Sequence, residues 1–175
     1  MAPNTIFRAK KPGLIIIALA LGLLSTSCIS APEPGLQSRA GIIVQHANGE
    51  LTTSCVTFEG EETNGEALLN LSKIPFIADS GNSLGSIVCS IEGEGCLFPE
   101  ENCFCECSGP GECSYWSYFI KTNDQQWAYA PVGARMRTIR DGDLDAWVWG
   151  SGENGAKDRA HPLLPDLRFE DVCAG

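Results

Sequence analysis

The chain has 175 residues and a formal net charge of −10, from 22 acidic and 12 basic residues. An acidic surface repels nucleic acid and anionic lipid, so nucleic-acid binding and attachment to a membrane through a basic patch are excluded. Nine cysteines in a chain of this length favour an exported protein that forms disulfides.

The first 28 residues have the layout of a bacterial export signal. Arg8, Lys10 and Lys11 precede an apolar run over 14–24, and Cys28 follows a short polar stretch. The run is too short for a membrane-spanning helix, which needs about 20 residues. We interpret these 28 residues as a signal peptide with a lipobox-like cleavage site, which predicts a lipid-anchored protein. Ordinary cleavage nearby, giving a secreted protein, is the alternative.

The rest of the chain divides by composition into three parts. Residues 29–40 contain two prolines and little apolar surface, which predicts a flexible tether. Residues 41–150 have the length and pattern of one domain. Residues 151–175 are expected to run over the surface as a tail that is pinned by Cys173. Without the leader, nine basic residues face 22 acidic ones, a net charge of −13, so membrane attachment depends on the lipid.

The sequence of the domain predicts one helix among several strands. Segments rich in β-branched and aromatic residues cover 41–46, 51–58, 86–91, 115–120, 126–129, 135–140 and 145–149. Asn48-Gly49 predicts a hairpin turn between the first two strands. A helix over 66–71 follows, with Thr63 or Asn64 as its N-cap. The sequence therefore predicts an α+β fold with a small, mostly antiparallel sheet.

The cysteines after Cys28 are even in number, which predicts four disulfides. They are Cys55, Cys89, Cys96, Cys103, Cys105, Cys107, Cys113 and Cys173. The three in Cys103-Phe-Cys105-Glu-Cys107 are too close to bridge one another, so we expect them to reach three different partners, whose identity the sequence leaves open. Their spacing is not that of a zinc site. The region 93–114 is predicted to be a Cys-rich insert, a loop held by disulfides.

Six aromatic residues are the candidates for ligand binding. They are Trp116, Tyr118, Trp127, Tyr129, Trp147 and Trp149. Each pair is spaced by two residues, and residues two apart on a strand share a face. Such a face is either core or an aromatic surface for a flat organic ligand or a partner, and the sequence leaves both interpretations open.

Catalytic and metal-binding patterns are weak. The acids of 141–145 alternate as in a calcium loop, but Ala146 and Gly152 stand where that loop needs Gly and Glu, which favours a plain turn. His46 and His161 have no accompanying nucleophile motif or second metal-binding histidine, so both are interpreted as surface residues. We therefore expect no enzyme activity, no bound metal and no cofactor.

Several short motifs occur in the order of a known domain. They are Ile91-Glu92-Gly93, Trp116-Ser117-Tyr118, Gly133-Ala134, Asp141-Gly142-Asp143 and Trp147. In this respect residues 41–150 resemble the small β-rich domain that ends transcobalamin and intrinsic factor, and the bacterial domain family of unknown function grouped with it. The resemblance implies a β-grasp-like domain. The Cys-rich insert and the tail depart from the family pattern.

The resemblance also suggests a function. Relatives in the broader family are associated with vitamin or metal uptake, including energy-coupling-factor transporters. It implies a binding protein, lipid-anchored at the extracytoplasmic face of the cell membrane, that captures a small planar ligand, cobalamin-like or a metal complex, for an uptake transporter. The large α-barrel of transcobalamin has no counterpart in this sequence, so no ligand residue is carried over. The alternative is a structural or protein-docking module of the envelope without a small ligand.

Overall fold

The structure is a computed structural model that describes residues 35–109, 112–122, 126–151 and 164–174. The interpreted signal peptide, Cys28, the tether up to residue 34 and His161 lie outside these residues. In the described ranges, no helix is long and apolar enough to cross a membrane.

The described residues form eleven strands, two helices and one 3-10 turn. The strands are β1 (Gln37–Gln45), β2 (Leu51–Glu59), β3 (Glu62–Asn64), β4 (Phe76–Asp79), β5 (Ile87–Ile91), β6 (Glu94–Gly95), β7 (Glu106–Gly109), β8 (Glu112–Lys121), β9 (Ala128–Tyr129), β10 (Thr138–Arg140) and β11 (Leu144–Ser151). The helices are α1 (Gly65–Ser72) and α2 (Phe169–Val172), and the 3-10 turn is Ala134–Met136.

The main sheet has the strand order β2-β1-β11-β8-β7, and β9 also pairs with β8. Strands β1 and β11 are parallel, whereas the other pairs are antiparallel. Helix α1 follows the first hairpin and packs against β1 and β2. A hairpin, a crossing helix and a central parallel pair give a β-grasp-like arrangement. The predicted α+β class with a mostly antiparallel sheet is confirmed.

Helix α1 begins and ends where its local sequence dictates. The Asn64 side chain accepts a hydrogen bond from the Ala67 N–H at 2.9 Å, which makes Asn64 the N-cap of the two candidates. The helix ends at Ser72 and is followed by its C-cap, Lys73, whose φ of 66° is left-handed. Leu68 and Leu69 are fully buried against the sheet.

The sheet is buried on both faces, because alternate residues of its central strands are apolar on both sides. Ile42 and Val44 join the cluster under α1, together with four aromatic residues of β8 and β11, which are Trp116, Tyr118, Trp147 and Trp149. Ile43 joins the cluster on the opposite face, where Leu164 and Val172 of the C-terminal segment cover it. We call these the helix face and the tail face.

Three boundaries differ from the prediction. The predicted tether extends too far, because residues 37–40 belong to β1 and pair with β2. The tail is more than a pinned surface segment, since Leu164 is buried in the tail-face cluster. The insert 93–114 is more than a loop, because β6 and β7 lie in it and Cys96 and Cys103 are buried with Cys89. Disulfides supply the core that its polar sequence lacks.

The eight cysteines after Cys28 all form disulfides, as predicted. The pairs are Cys55–Cys173, Cys89–Cys103, Cys96–Cys105 and Cys107–Cys113. The three cysteines of the Cys-x-Cys-x-Cys motif therefore have three different partners. The first pair joins β2 to the end of the tail, and the other three lie within and around the insert.

Candidate functional site

An apolar recess of about 250 Å³ opens beside β8, and we call it the aromatic recess. Its floor is formed by Trp116, Tyr118 and Trp147. Its walls come from the β4–β5 connection, β5, the Cys-rich insert, β8, β9 and the segment after β9. They include Leu84, Ile87, Val88, Phe104, Tyr115, Tyr129, Pro131 and Val132. Among the described residues that line it, none is charged.

The floor of the recess is part of the hydrophobic core. Trp147 lies opposite Tyr118 in the β8–β11 pair, and the two rings stack with centroids 4.7 Å apart. Trp149 lies opposite Trp116, with ring centroids at 5.4 Å. Only 1% of the Trp147 surface is exposed. The floor is therefore held rigidly by cross-strand aromatic pairs.

The walls, in contrast, are partly in water. Leu84 is 63% exposed and Phe104 is 41% exposed. Phe104 packs edge-on against Tyr115 with ring centroids 5.5 Å apart. The Tyr115 and Tyr129 hydroxyls lie 3.5 Å apart at the recess. Burial raises the pKa of Tyr129, so its hydroxyl stays protonated and can donate a hydrogen bond at neutral pH.

Four of the six predicted candidates line the recess: Trp116, Tyr118, Tyr129 and Trp147. Trp149 lies beside Trp116 within the helix-face cluster. Trp127 lies on the tail face, where its Nε1 donates to the Pro165 carbonyl at 3.0 Å. The floor residues are thus core residues that also bound the recess, and the interpretation of the aromatic face as a ligand surface stays a prediction.

The sequence analysis missed the wall residues Leu84, Phe104 and Val132, of which the first two are exposed and Val132 is half-buried. Each stands in a loop between Gly, Pro, Ser or Cys residues, where strand periodicity gives no indication of a face. The available signal was an apolar side chain without a local partner in a polar loop, as at Phe104 between two cysteines.

The wall that contains Leu84 and Gly133 is linked to helix α1 through hydrogen bonds. Gly133 N–H donates to the Leu84 carbonyl at 2.7 Å, and a Cβ at Gly133 would lie 2.6 Å from the Ser86 carbonyl, so only glycine fits. The Ser86 hydroxyl donates to Glu66 at 2.6 Å, and Arg135 donates to the same carboxylate at 2.8 Å. Although burial opposes ionisation, these donors lower the pKa of Glu66 to about 2, so it stays charged.

A cluster of largely buried polar side chains lies beneath the floor of the recess. The Tyr118 hydroxyl donates to the Asp145 carboxylate, and Arg137 pairs with Asp143 at 2.8 Å. Arg137 Nε and Asp145 Oδ1 lie 3.6 Å apart, and neither has a hydrogen-bond partner in the described part of the chain. Burial raises the pKa of Asp145 to about 7, against the opposing effects of Tyr118 and Arg137.

A second recess, which we call the acidic notch, is lined by His46, Thr52, Glu92 and Glu94. His46 Nδ1 lies 2.6 Å from Glu94 and Nε2 lies 3.0 Å from Glu92. Burial lowers the pKa of His46, but the two carboxylates outweigh it and raise the pKa above the ordinary value. The Trp116 ring packs edge-on against the imidazole, with centroids at 5.8 Å. His46, interpreted from the sequence as a surface residue, is half-buried with 15% of its side chain exposed, and Glu92 and Glu94 hold the ring.

No group of three or more His, Cys, Asp or Glu side chains in the described ranges is arranged to hold a metal ion. The alternating acids of 141–145 diverge. Asp141 accepts from the Arg39 N–H at 2.7 Å, whereas Asp143 and Asp145 face Arg137. These residues form the turn between β10 and β11 and the start of β11, in agreement with the predicted turn.

The model of one protein family, described as the SCO2322-like domain, matches residues 110–175, which is less than half of the chain. No curated protein matches. A protein from Ruminococcus gnavus ATCC 29149, provisionally assigned as metal binding, is 12% identical, with 66% of this chain and 98% of that chain covered and a TM-score of 0.44. Haptocorrin in complex with Cbi is 17% identical, with 71% of this chain covered and a TM-score of 0.46. The chain spans 28% of that haptocorrin chain.

Proposed function

We propose that this protein is an exported, non-enzymatic binding protein that captures a small planar ligand in the aromatic recess. One observation carries the proposal: a rigid aromatic floor is combined with apolar walls that remain in water, at Leu84 and Phe104. Apolar surface left exposed beside a pocket marks a site for a ligand or a partner. Covering these walls releases their hydration water and stabilises the complex.

The size of the recess and its uncharged lining limit the classes of ligand that it can bind. Typical ligand pockets enclose roughly 300–1,000 Å³, and this one encloses about 250 Å³. It accommodates a ring system of one or two rings and only a part of a corrinoid. Its lining is uncharged, and the Tyr115 and Tyr129 hydroxyls are its polar groups at the mouth. A neutral planar ring fits this lining without an unpaired charge.

Export and lipid attachment belong to the same proposal. The leader, with Cys28 after its apolar run, and four disulfides among the described residues support an oxidising compartment. The lipid would hold the domain at the extracytoplasmic face of the membrane, where an uptake transporter could receive the ligand. The Cys28→Ala variant should lose incorporation of labelled fatty acid and leave the membrane fraction. Unchanged membrane retention would contradict the anchor.

The binding test uses the oxidised full chain, purified in detergent. Planar heteroaromatic compounds, corrinoids and metal chelates are titrated while Trp fluorescence is recorded, because Trp116 and Trp147 form the recess floor. We expect saturable quenching by neutral planar compounds, with a raised melting temperature.

A matched pair of variants locates the site. Leu84 and Leu97 are both 63% exposed, but only Leu84 lines the recess. Leu84→Asp should weaken binding at least ten-fold, because it buries a carboxylate against the ligand, whereas Leu97→Asp should leave it unchanged. If neither variant matters, the ligand binds elsewhere. If no compound binds, the exposed walls favour the alternative function, docking of an envelope protein.

A further inference from the structure

We propose that the ligand of the aromatic recess is a cyclic amide or an equivalent heterocycle, with a hydrogen-bond donor and an acceptor on one edge, that pairs with the main chain of Trp116. The inference rests on the proposed function and names the chemical class of its ligand. It follows from the position of the recess at an interrupted edge of the sheet.

The recess passes around the edge of β8. Tyr115 and Trp116 are neighbours on this strand, and both line the recess. Neighbouring side chains on a strand point to opposite faces of the sheet. A cavity that touches both must therefore reach the strand edge between the faces, where the main chain is accessible.

The main chain of Trp116 faces this edge. The Ala130 N–H donates to the Tyr118 carbonyl at 2.9 Å, so the main-chain N–H and C=O of Tyr118 point away from β11. Along an antiparallel strand, the direction of the N–H and C=O groups repeats every second residue. The N–H and C=O of Trp116 therefore point to the same side as those of Tyr118, toward the recess.

No strand of the described residues lies opposite Trp116 on that side. Strand β7 pairs with β8 only as far as Ser114, and β9 pairs with Phe119 and Ile120. After Ala130 the chain turns away at Pro131, which has no N–H to donate. In the described part of the chain, strand pairing along this edge of β8 is thus interrupted at Trp116 and is present on both sides of it.

The length of the interruption selects a small ligand over a peptide. From Ser114 to Tyr118 a strand advances about 14 Å, at about 3.4 Å per residue, and both ends of this span are occupied by paired segments. An extended peptide cannot continue past them. A single ring system can place one N–H on the Trp116 carbonyl and one C=O on the Trp116 N–H, while its faces contact the aromatic walls.

The test compares the binding of three probes to the oxidised full chain. They are 2-quinolinone, N-methyl-2-quinolinone and 6-methyl-2-quinolinone, which is an isomer of the N-methyl compound. The N-methyl compound lacks the donor, whereas the 6-methyl compound keeps it at equal size. We expect the N-methyl compound to bind roughly ten-fold more weakly than the other two, the effect of one or two lost hydrogen bonds. The amide proton of Trp116 should also shift downfield by NMR with 2-quinolinone, and that of Ser117, which faces β11, should not.

The outcomes separate this inference from the proposed function. Equal affinities for all three probes, with an unmoved Trp116 amide and with loss of binding in Leu84→Asp, would overturn the edge pairing but keep the recess as an apolar site. Absence of binding by all three probes and by naphthalene would overturn both. Tighter binding of the N-methyl compound would also overturn the edge pairing.

Discussion

The aromatic recess and the acidic notch lie on two sides of the same residue, Trp116. They differ in how far the side chains that line them already find partners within the chain. In the notch, His46 contacts Glu92 and Glu94, and the Thr52 hydroxyl also donates to Glu92. In the recess, Leu84 and Phe104 keep much of their apolar surface in water.

The difference supports the proposal that the recess, and not the notch, binds the ligand. Polar groups that find partners within the chain contribute to stability and gain little from a ligand. The apolar walls keep much of their surface in water, so a ligand that covers them gains the free energy of their dehydration. Trp116 joins the two regions, because its Nε1 donates to the Glu94 carbonyl at 3.0 Å while the residue lines the recess.

The largest expected effect comes from the recess floor. Trp147→Ala should lower the free energy of unfolding by about 3–5 kcal/mol, because it removes a buried indole and its stacking on Tyr118. Urea unfolding measures this, with Phe104→Ala as the exposed control, expected to cost about 1 kcal/mol or less. An equal loss of unfolding free energy in the two variants would show that the floor is no more tightly packed than the walls.

The next effect tests whether the disulfides hold the walls. Phe104 lies between Cys103 and Cys105, so replacing the Cys96–Cys105 pair by serine should cost about 2–3 kcal/mol and also weaken ligand binding. The matched control replaces the Cys55–Cys173 pair, which lies at the tail. That variant should lose at least as much stability and keep its ligand affinity. Weakened binding in the control would contradict a local role.

A smaller effect concerns the charge under the floor. Because burial raises the pKa of Asp145 to about 7, the folded chain binds one more proton than the unfolded chain between about pH 4 and pH 7. The contribution of this group to stability is therefore present at low pH and falls by about 1 kcal/mol per pH unit as the pH rises through that window. Unfolding at several pH values should show this slope, and Asp145→Asn should reduce it. An unchanged slope would assign it to another group.

The smallest effect belongs to the notch. Because Glu94 and Glu92 raise the pKa of His46 above 6.5 despite its partial burial, the stability from this contact is complete below pH 6.5 and is lost as the pH rises through the folded value. His46→Gln should abolish this change, of roughly 1 kcal/mol. NMR titration of the imidazole and of the Trp116 indole N–H follows it. A His46 pKa at or below 6.5 would contradict the contact.

Local patterns were sufficient for several elements. The apolar run and the Asn64 cap gave helix α1 close to its observed bounds, because a cap and its helix lie within a few residues. Period-two spacing correctly predicted that Trp116 and Tyr118 share a face, as do Trp147 and Trp149. The short β3, β4, β6 and β7 were missed, since their pairing depends on distant strands or on disulfides.

The sequence by itself determined the disulfide content, the α+β class and the aromatic character of β8 and β11, since these depend on residue type and local spacing. Only the tertiary structure decided that Leu84, Phe104 and Tyr115 meet beside Trp116. These residues come from separate segments, and they are brought together by the β8–β11 register, the Cys96–Cys105 bridge and the turn at Pro131. Contacts of this kind depend on the closure of long chain segments, for which local periodicity carries no information.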